Sequence, residues 1–256
     1  MVGERPAGGR RVLDGAFALL EALGHGEEVG LTRLAADAGL PKATAHRLLD
    51  QLAALGAVQR RAGQYRLGSR MFRFGQAWQP AQSLRAAAAR PLRQLAMATN
   101  AAGFCLAVPD GDAVMLVAGI GREVNEVFPL RAGTVLPPGT AAELILATAT
   151  DVQEPPHRCS GHEWARRVGD ARRAGLAYDH EKRFVPLVCV AAPVRTPDGR
   201  IVAALAASML DATRLPSLAE AVRRAAGIIS GNLRSAAHFR RELPQRVPAR
   251  DPSPLA

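Results

Sequence analysis

Apolar residues along the first part of the chain recur at helical spacing and are cut by glycine at regular intervals. Val12, Ala16, Leu19, Leu20 and Leu23 mark one buried helical face, closed by Gly24. Leu31, Leu34, Ala35 and Ala38 mark a second, short helix, with Gly39 at its end where positive φ is easiest to hold. Pro41 suits the first position of a third helix, because its missing N–H has no intrahelical partner there. Ala45, Leu48, Leu49, Leu52 and Leu55 form that helix's apolar stripe, and Gly56 stops it. The pattern then shifts to alternation over Val58–Leu67 around Ala62-Gly63, as in a small hairpin. Three helices followed by a hairpin predict a winged helix-turn-helix.

The rest of the chain has a different rhythm. Ser69 to Trp78 is amphipathic, Pro80 interrupts it, and an alanine-rich helix is expected over Leu84 to Ala98, broken or started by Pro91. Apolar runs at 103–108 and 113–118 flank the turn signal Pro109-Asp110-Gly111-Asp112, so they should pair. Runs at 188–194 and 201–206 flank Thr196-Pro197-Asp198-Gly199-Arg200 in the same way. A further strand is expected at Glu126–Leu130, and helices at Gly139–Thr148, Trp164–Gly175 and Leu218–Phe239. Strands interspersed with helices indicate an α/β second domain, so the fold class is α+β and multi-domain.

Charge refines the reading of the first domain. The chain carries 33 Lys and Arg against 23 Asp and Glu, a net charge of +10, which favours a polyanionic partner. No acid occurs from Gln51 to Pro109, whereas Arg60, Arg61, Arg66, Arg70, Arg73, Arg85, Arg90 and Arg93 all do. A plain αα-hairpin would bury the same stripes, but its solvated face would normally mix signs. Lys42, Thr44, His46 and Arg47 fall on the exposed side of the third helix near its start, where bases are read. Arg60, Arg61 and Arg66 fall in the hairpin, where phosphates would be met. These seven residues are the expected DNA contacts. Two-fold symmetry is usual for such readers, so a dimer is expected, with Leu19, Leu23, Met71, Phe72, Phe74 and Trp78 as candidate interface residues.

Three cysteines, Cys105, Cys159 and Cys189, cannot all pair within the chain, which fits a reducing cytoplasm. The opening MVGERPAGGRR has no apolar stretch of the secretory kind, and no membrane association is expected. His157-x-Cys159-x-x-His162 fits no common zinc spacing, so no metal ligand is assigned. No nucleophile elbow, phosphate loop or dinucleotide fingerprint occurs, hence no catalytic residue, cofactor or enzymatic activity is expected. The alternative reading is a small-molecule sensor or enzyme whose N-terminal helices only dimerise.

GLPKATAHRLLDQLAALG resembles the recognition helix of the IclR-type transcription regulators, and YRLG the end of their wing. VLPPGTAAELILA resembles the start of that family's effector pocket, and AGLAYDHEKRFVPLVCVAAPVRTPDGRIVAALAAS its other side. The resemblance implies a winged DNA-binding domain, a linker helix and a GAF-like effector-binding domain. The implied division is a disordered tail to residue 9, then 10–75, 76–90 and 91–240, and a disordered tail over 241–256. It also implies a homodimer or dimer of dimers that acts as repressor or activator on an operator in double-stranded DNA.

The resemblance places the effector against Gly139, Thr140, Ala141, Asp179, Cys189, Ala206, Ala207 and Ser208. Backbone N–H groups at the helix start would hold a carboxylate there. This chain departs from the family at two of these places. Ala206-Ala207-Ser208 stands for Ser-x-Ser, and Ala142-Glu143 for Gly-Lys. The stretch from Thr148 to Arg173 also looks shorter than its family counterpart. The expected effector is therefore a small molecule, with a carboxylate only one candidate.

Overall fold

Helix α1 (Ala7–Leu23) turns Leu19 and Leu23 inward, against α2 (Leu31–Asp37) and α3 (Lys42–Ala54). Leu34, Ala45, Leu48 and Leu49 meet them there, and each fully buried leucine contributes roughly 1.5–3 kcal/mol. Strand β1 (Val29–Gly30) leads into α2, and β2 (Val58–Arg61) and β3 (Gln64–Leu67) form the wing. All three make one antiparallel sheet in the order β1-β3-β2. Tyr65 of β3 closes the core from the wing side. The chain leaves the wing at Gly68, where a Cβ would collide with the Gly56 carbonyl oxygen; only glycine permits this approach. Helix α4 (Ser69–Gln76) follows.

The computed structural model describes residues 7–24, 28–99, 101–150, 155, 159–180 and 186–235. These fall into two compact units, Met1–Trp78 and Gln79–Ala256. The second is built on an antiparallel sheet in the order β5-β4-β8-β7-β6. Its strands are β4 (Ala102–Asp110), β5 (Ala113–Ile120), β6 (Ala177–Asp179), β7 (Val188–Arg195) and β8 (Ile201–Met209). Helices α5 (Gln79–Ala98) and α9 (Leu215–Ser235) pack on one part of this sheet, and α7 (Ala141–Ala147) and α8 (Gly161–Ala174) on another. Between them come α6 (Glu123–Val127) and a short 3-10 turn, Ala212–Arg214.

Three expectations need correction. Residues 7–9 belong to α1 rather than to a tail; the remaining tail residues lie outside the described ones. Glu126–Leu130 is not a strand: Val124 is fully buried, Phe128 N–H donates to Val124 O, and Leu130 N–H donates to Asn125 Oδ1. Pro129 lacks the N–H that a strand ladder needs there. Pro91 neither breaks nor starts α5 but sits inside it. It leaves Ala87 O without its usual helical donor, and Asn232 Nδ2 of α9 donates to that oxygen at 2.8 Å.

Candidate functional site

The first unit presents two kinds of cationic side chain. Lys42 and Arg47 are exposed on α3, with His46 and Thr44 partly exposed beside them. Pro41 precedes α3 and offers no side-chain cap, and no acid occupies the first turn. The N–H groups of that turn therefore remain as donors on the face that carries Lys42. His46 Nδ1 lies 3.1 Å from Asp50 Oδ2, one turn further along. That contact restrains the ring and takes one of its two nitrogens.

The wing residues differ in what they can offer. Cross-strand pairing of Gln59 with Arg66 and of Arg61 with Gln64 puts Arg61 and Arg66 on one face. Arg60 lies on the other, with its guanidinium 5.5 Å from the Tyr65 ring centre. Arg66 donates to Gln59 Oε1 at 3.1 Å and to Glu28 Oε1 at 3.4 Å, so a neighbouring acid already partly neutralises it. Arg70, inside the acid-free run, has a different task. Its guanidinium donates to Leu55 O at 2.7 Å, satisfying a carbonyl at the end of α3. Arg85, Arg90 and Arg93 belong to α5 in the second unit, so the acid-free run spans both units.

In the second unit, strand register brings some of the expected effector residues into line. Asp179 pairs with Cys189, Cys189 with Ser208, and Ser208 with Gly103, giving one row across four strands. The Cys189 thiol donates to Ser208 Oγ at 3.2 Å. The next row on that face holds Ala206 and Cys105. Ala207 alternates to the opposite face and cannot line the same cavity with its side chain. Cys105 and Gly103 were not legible as members, because nothing in the sequence gives the register of β4 on β8. Burial pushes the Cys105 thiol up to about 12 and the Cys189 thiol up to about 11, the Ser208 hydrogen bond lowering the latter. Both stay protonated and unreactive at neutral pH.

The start of α7 carries its own cap and its own acid. Gly139 takes φ +86 to turn the chain into α7, and Thr140 is its N-cap, accepting from Glu143 N–H. Glu143 reaches back, and its Oε2 accepts from Gly139 N–H at 2.5 Å. The N–H just ahead of the α7 cap is thus taken by a carboxylate of the chain itself. Ala141 is buried in the apolar cluster against which Cys189 packs. Trp164 belongs to that cluster too, and its buried indole N–H has no acceptor among the described residues. His157 of the His/Cys motif lies outside the described residues, among which no metal-capable cluster occurs.

Residues 12–62 match the IclR helix-turn-helix domain. The chain is 28% identical over 251 residues to the HTH-type transcriptional regulator BhcR of Paracoccus denitrificans, covering 90% of this chain and 89% of that one. It is 27% identical to the regulator KdgR of Escherichia coli, over 75% of this chain and 79% of the relative. Among solved structures, an IclR homologue of Microbacterium hydrocarbonoxydans in complex with 4-hydroxybenzoate superposes with a TM-score of 0.73. That match covers 88% of this chain and 99% of the other at 24% identity, and so speaks to the fold. Residues 12–62 thus carry an IclR-type helix-turn-helix ahead of an α/β unit, and the relatives that the chain resembles over most of its length are transcription regulators.

Proposed function

We propose that the protein is a cytoplasmic dimer, or dimer of dimers, whose grip on an operator is set by a small molecule in the second unit. Lys42, Thr44, His46 and Arg47 read the major groove, and Arg61 leads the phosphate contacts of the wing, with Arg60 and Arg66 beside it. The observation that carries the DNA geometry is the uncapped start of α3 beside Lys42. Leu19 and Leu23 are buried in their own domain core and are not available as an interface. Leu13, Phe17, Phe72 and Phe74 are the exposed apolar residues of the first unit that a partner copy would cover.

The effector lies against the row of Asp179, Cys189 and Ser208, with Ala206 beside it and Gly139, Thr140 and Ala141 shaping the start of α7. Because Glu143 satisfies the Gly139 N–H, the ligand does not depend on a carboxylate at that point. Trp164 offers a buried donor, which favours a ligand with a neutral acceptor. The relative's 4-hydroxybenzoate suggests a direct comparison. Operator affinity is measured by gel retardation with 4-hydroxybenzoate and with its neutral amide. The amide is expected to act at least as strongly as the acid, within the typical coupling of about 1–3 kcal/mol, and Cys189→Trp is expected to abolish the response. A response to neither compound, nor to any member of a broad metabolite library, would overturn the effector reading. Arg47→Ala should cost about 1–3 kcal/mol of operator binding and relax sequence preference.

A further inference from the structure

A cavity of about 570 Å³ opens at the other end of the second unit's sheet from the Asp179–Cys189–Ser208 row, within the range of small-metabolite sites. Its floor is apolar, from Ile145, Ala171 and Ile201, and its rim carries Arg172, Arg195 and Arg200. Arg195 lies six residues along β7 from Cys189, a separation of roughly 20 Å in an extended strand. The cavity is therefore distinct from the row proposed to hold the effector. No carboxylate lines it among the described residues.

The arginines are held in place. Arg172 donates to Thr148 O at 3.2 Å and Thr150 O at 3.1 Å, bridging α8 to the exit of α7. Arg195 and Arg200 flank a turn locked by Thr196 N–H to Arg200 O and Gly199 N–H to Thr196 O, each 2.9 Å. The Arg195 guanidinium donates from Nη1 to Gly199 O at 2.9 Å, while its backbone N–H donates to Ser230 Oγ of α9 at 2.9 Å. Arg200 Nε meets Asp198 Oδ2 at 2.7 Å, which orients its guanidinium beside the cavity. A guanidinium has five N–H donors, and neither hairpin arginine uses more than a few of them here. Solvated surface arginines would have no reason to share one concave, apolar-floored site with fixed stems. Arg172, Arg195 and Arg200 around one cavity, with Asp198 offsetting part of the Arg200 charge, favour an anion carrying several negative oxygens.

We propose that this cavity is a second ligand site, taking a small organic polyanion such as a polycarboxylate or a phosphate ester. It does not depend on the effector reading. The test is calorimetric titration of the full chain with citrate and with inorganic pyrophosphate, at ionic strength held constant with sodium chloride. Saturable binding of at least one probe is expected. The stronger probe tells whether carboxylate or phosphate oxygens are preferred. Arg195→Gln with Arg200→Gln should weaken binding about tenfold or more, and the double lysine variant should recover part of it. Cys189→Trp, and Lys42→Ala with Arg61→Ala, should leave binding within about twofold, since they alter the other row and the DNA face. An unchanged melting temperature in the glutamine variant would confirm that it folds. Saturable binding by neither probe, equal binding by the glutamine variant, or loss of binding in the DNA-face variant would overturn the proposal.

Discussion

Helices α2, α3 and α4 of the first unit begin differently from α7 and α8 of the second. In the first unit, α2, α3 and α4 start after Gly30, Pro41 and Gly68, with no side-chain cap and no acid in the first turn. In the second, α7 starts at Thr140 with Glu143, and α8 at Ser160 with Glu163, each hydroxyl accepting from the glutamate's N–H. A cap satisfies a donor and is worth about 1 kcal/mol, so its absence from three successive helices leaves stability unclaimed. The first turns of α2, α3 and α4 thus have no side-chain acceptor, whereas at α7 and α8 the capping hydroxyl takes one of the first-turn donors. At the start of α7 it is Glu143 of the chain itself that meets the Gly139 N–H, just ahead of the cap.

The largest test of this contrast gives α3 what α7 has. Pro41→Asp would place a capping carboxylate at the N-terminus of α3, where the backbone (φ −56, ψ 138) accepts it. The melting temperature should change little, because the cap offsets the lost proline rigidity. Operator affinity should fall by about a hundredfold, or roughly 2.7 kcal/mol, because the carboxylate repels phosphate and occupies its donors. Retained affinity measured by gel retardation would mean that this helix start does not face DNA.

The second unit supplies a partner to Ala87 O even where Pro91 removes its helical donor. Asn232→Ala would strip Ala87 O of the one donor that replaces the missing N–H of Pro91. A buried carbonyl left unsatisfied costs about 1–3 kcal/mol, read as a lower urea midpoint with unchanged slope. Restoring the helical donor with Pro91→Ala in the Asn232→Ala background should recover most of it. Thr140→Val is the smaller companion. It removes the α7 cap and should cost about 1 kcal/mol by the same measurement, without altering operator affinity in the absence of ligand.

Legibility followed the same division. The helix-turn-helix is local: glycine stops, one proline and a stripe of leucines specify it within a few dozen residues, and the structure follows them. The hairpins around Asp110-Gly111 and Asp198-Gly199 were legible for the same reason. The order β5-β4-β8-β7-β6 was not, because the pairing of β4 with β8 joins residues about a hundred positions apart. That pairing sets Gly103 and Cys105 beside Ser208 and Ala206, and it decides that Ala207 faces away. Glu143 was visible as a departure in charge, but its turn back onto Gly139 depends on a side-chain rotamer that no periodicity reports. The arginine cavity draws on α7, α8 and the β7–β8 hairpin, and was invisible for the same reason as the row.

The smallest effect separates the arginines of the wing from one another. Arg61 lies on the outer face of β2, whereas Arg66 on the same face is engaged by Glu28 and Gln59, and Arg60 rests against the Tyr65 ring. Arg61→Ala should therefore weaken operator and non-operator duplexes alike, and reduce the slope of log affinity against log salt by about one. Arg66→Ala should change that slope by less, because the glutamate offsets its charge. Glu28→Gln should make Arg66 more effective and steepen the slope. Fluorescence anisotropy at a series of salt concentrations measures all three. An equal loss of slope from Arg61→Ala and Arg66→Ala would show that the Glu28 pair opens on DNA and that the wing acts as one undivided cationic surface.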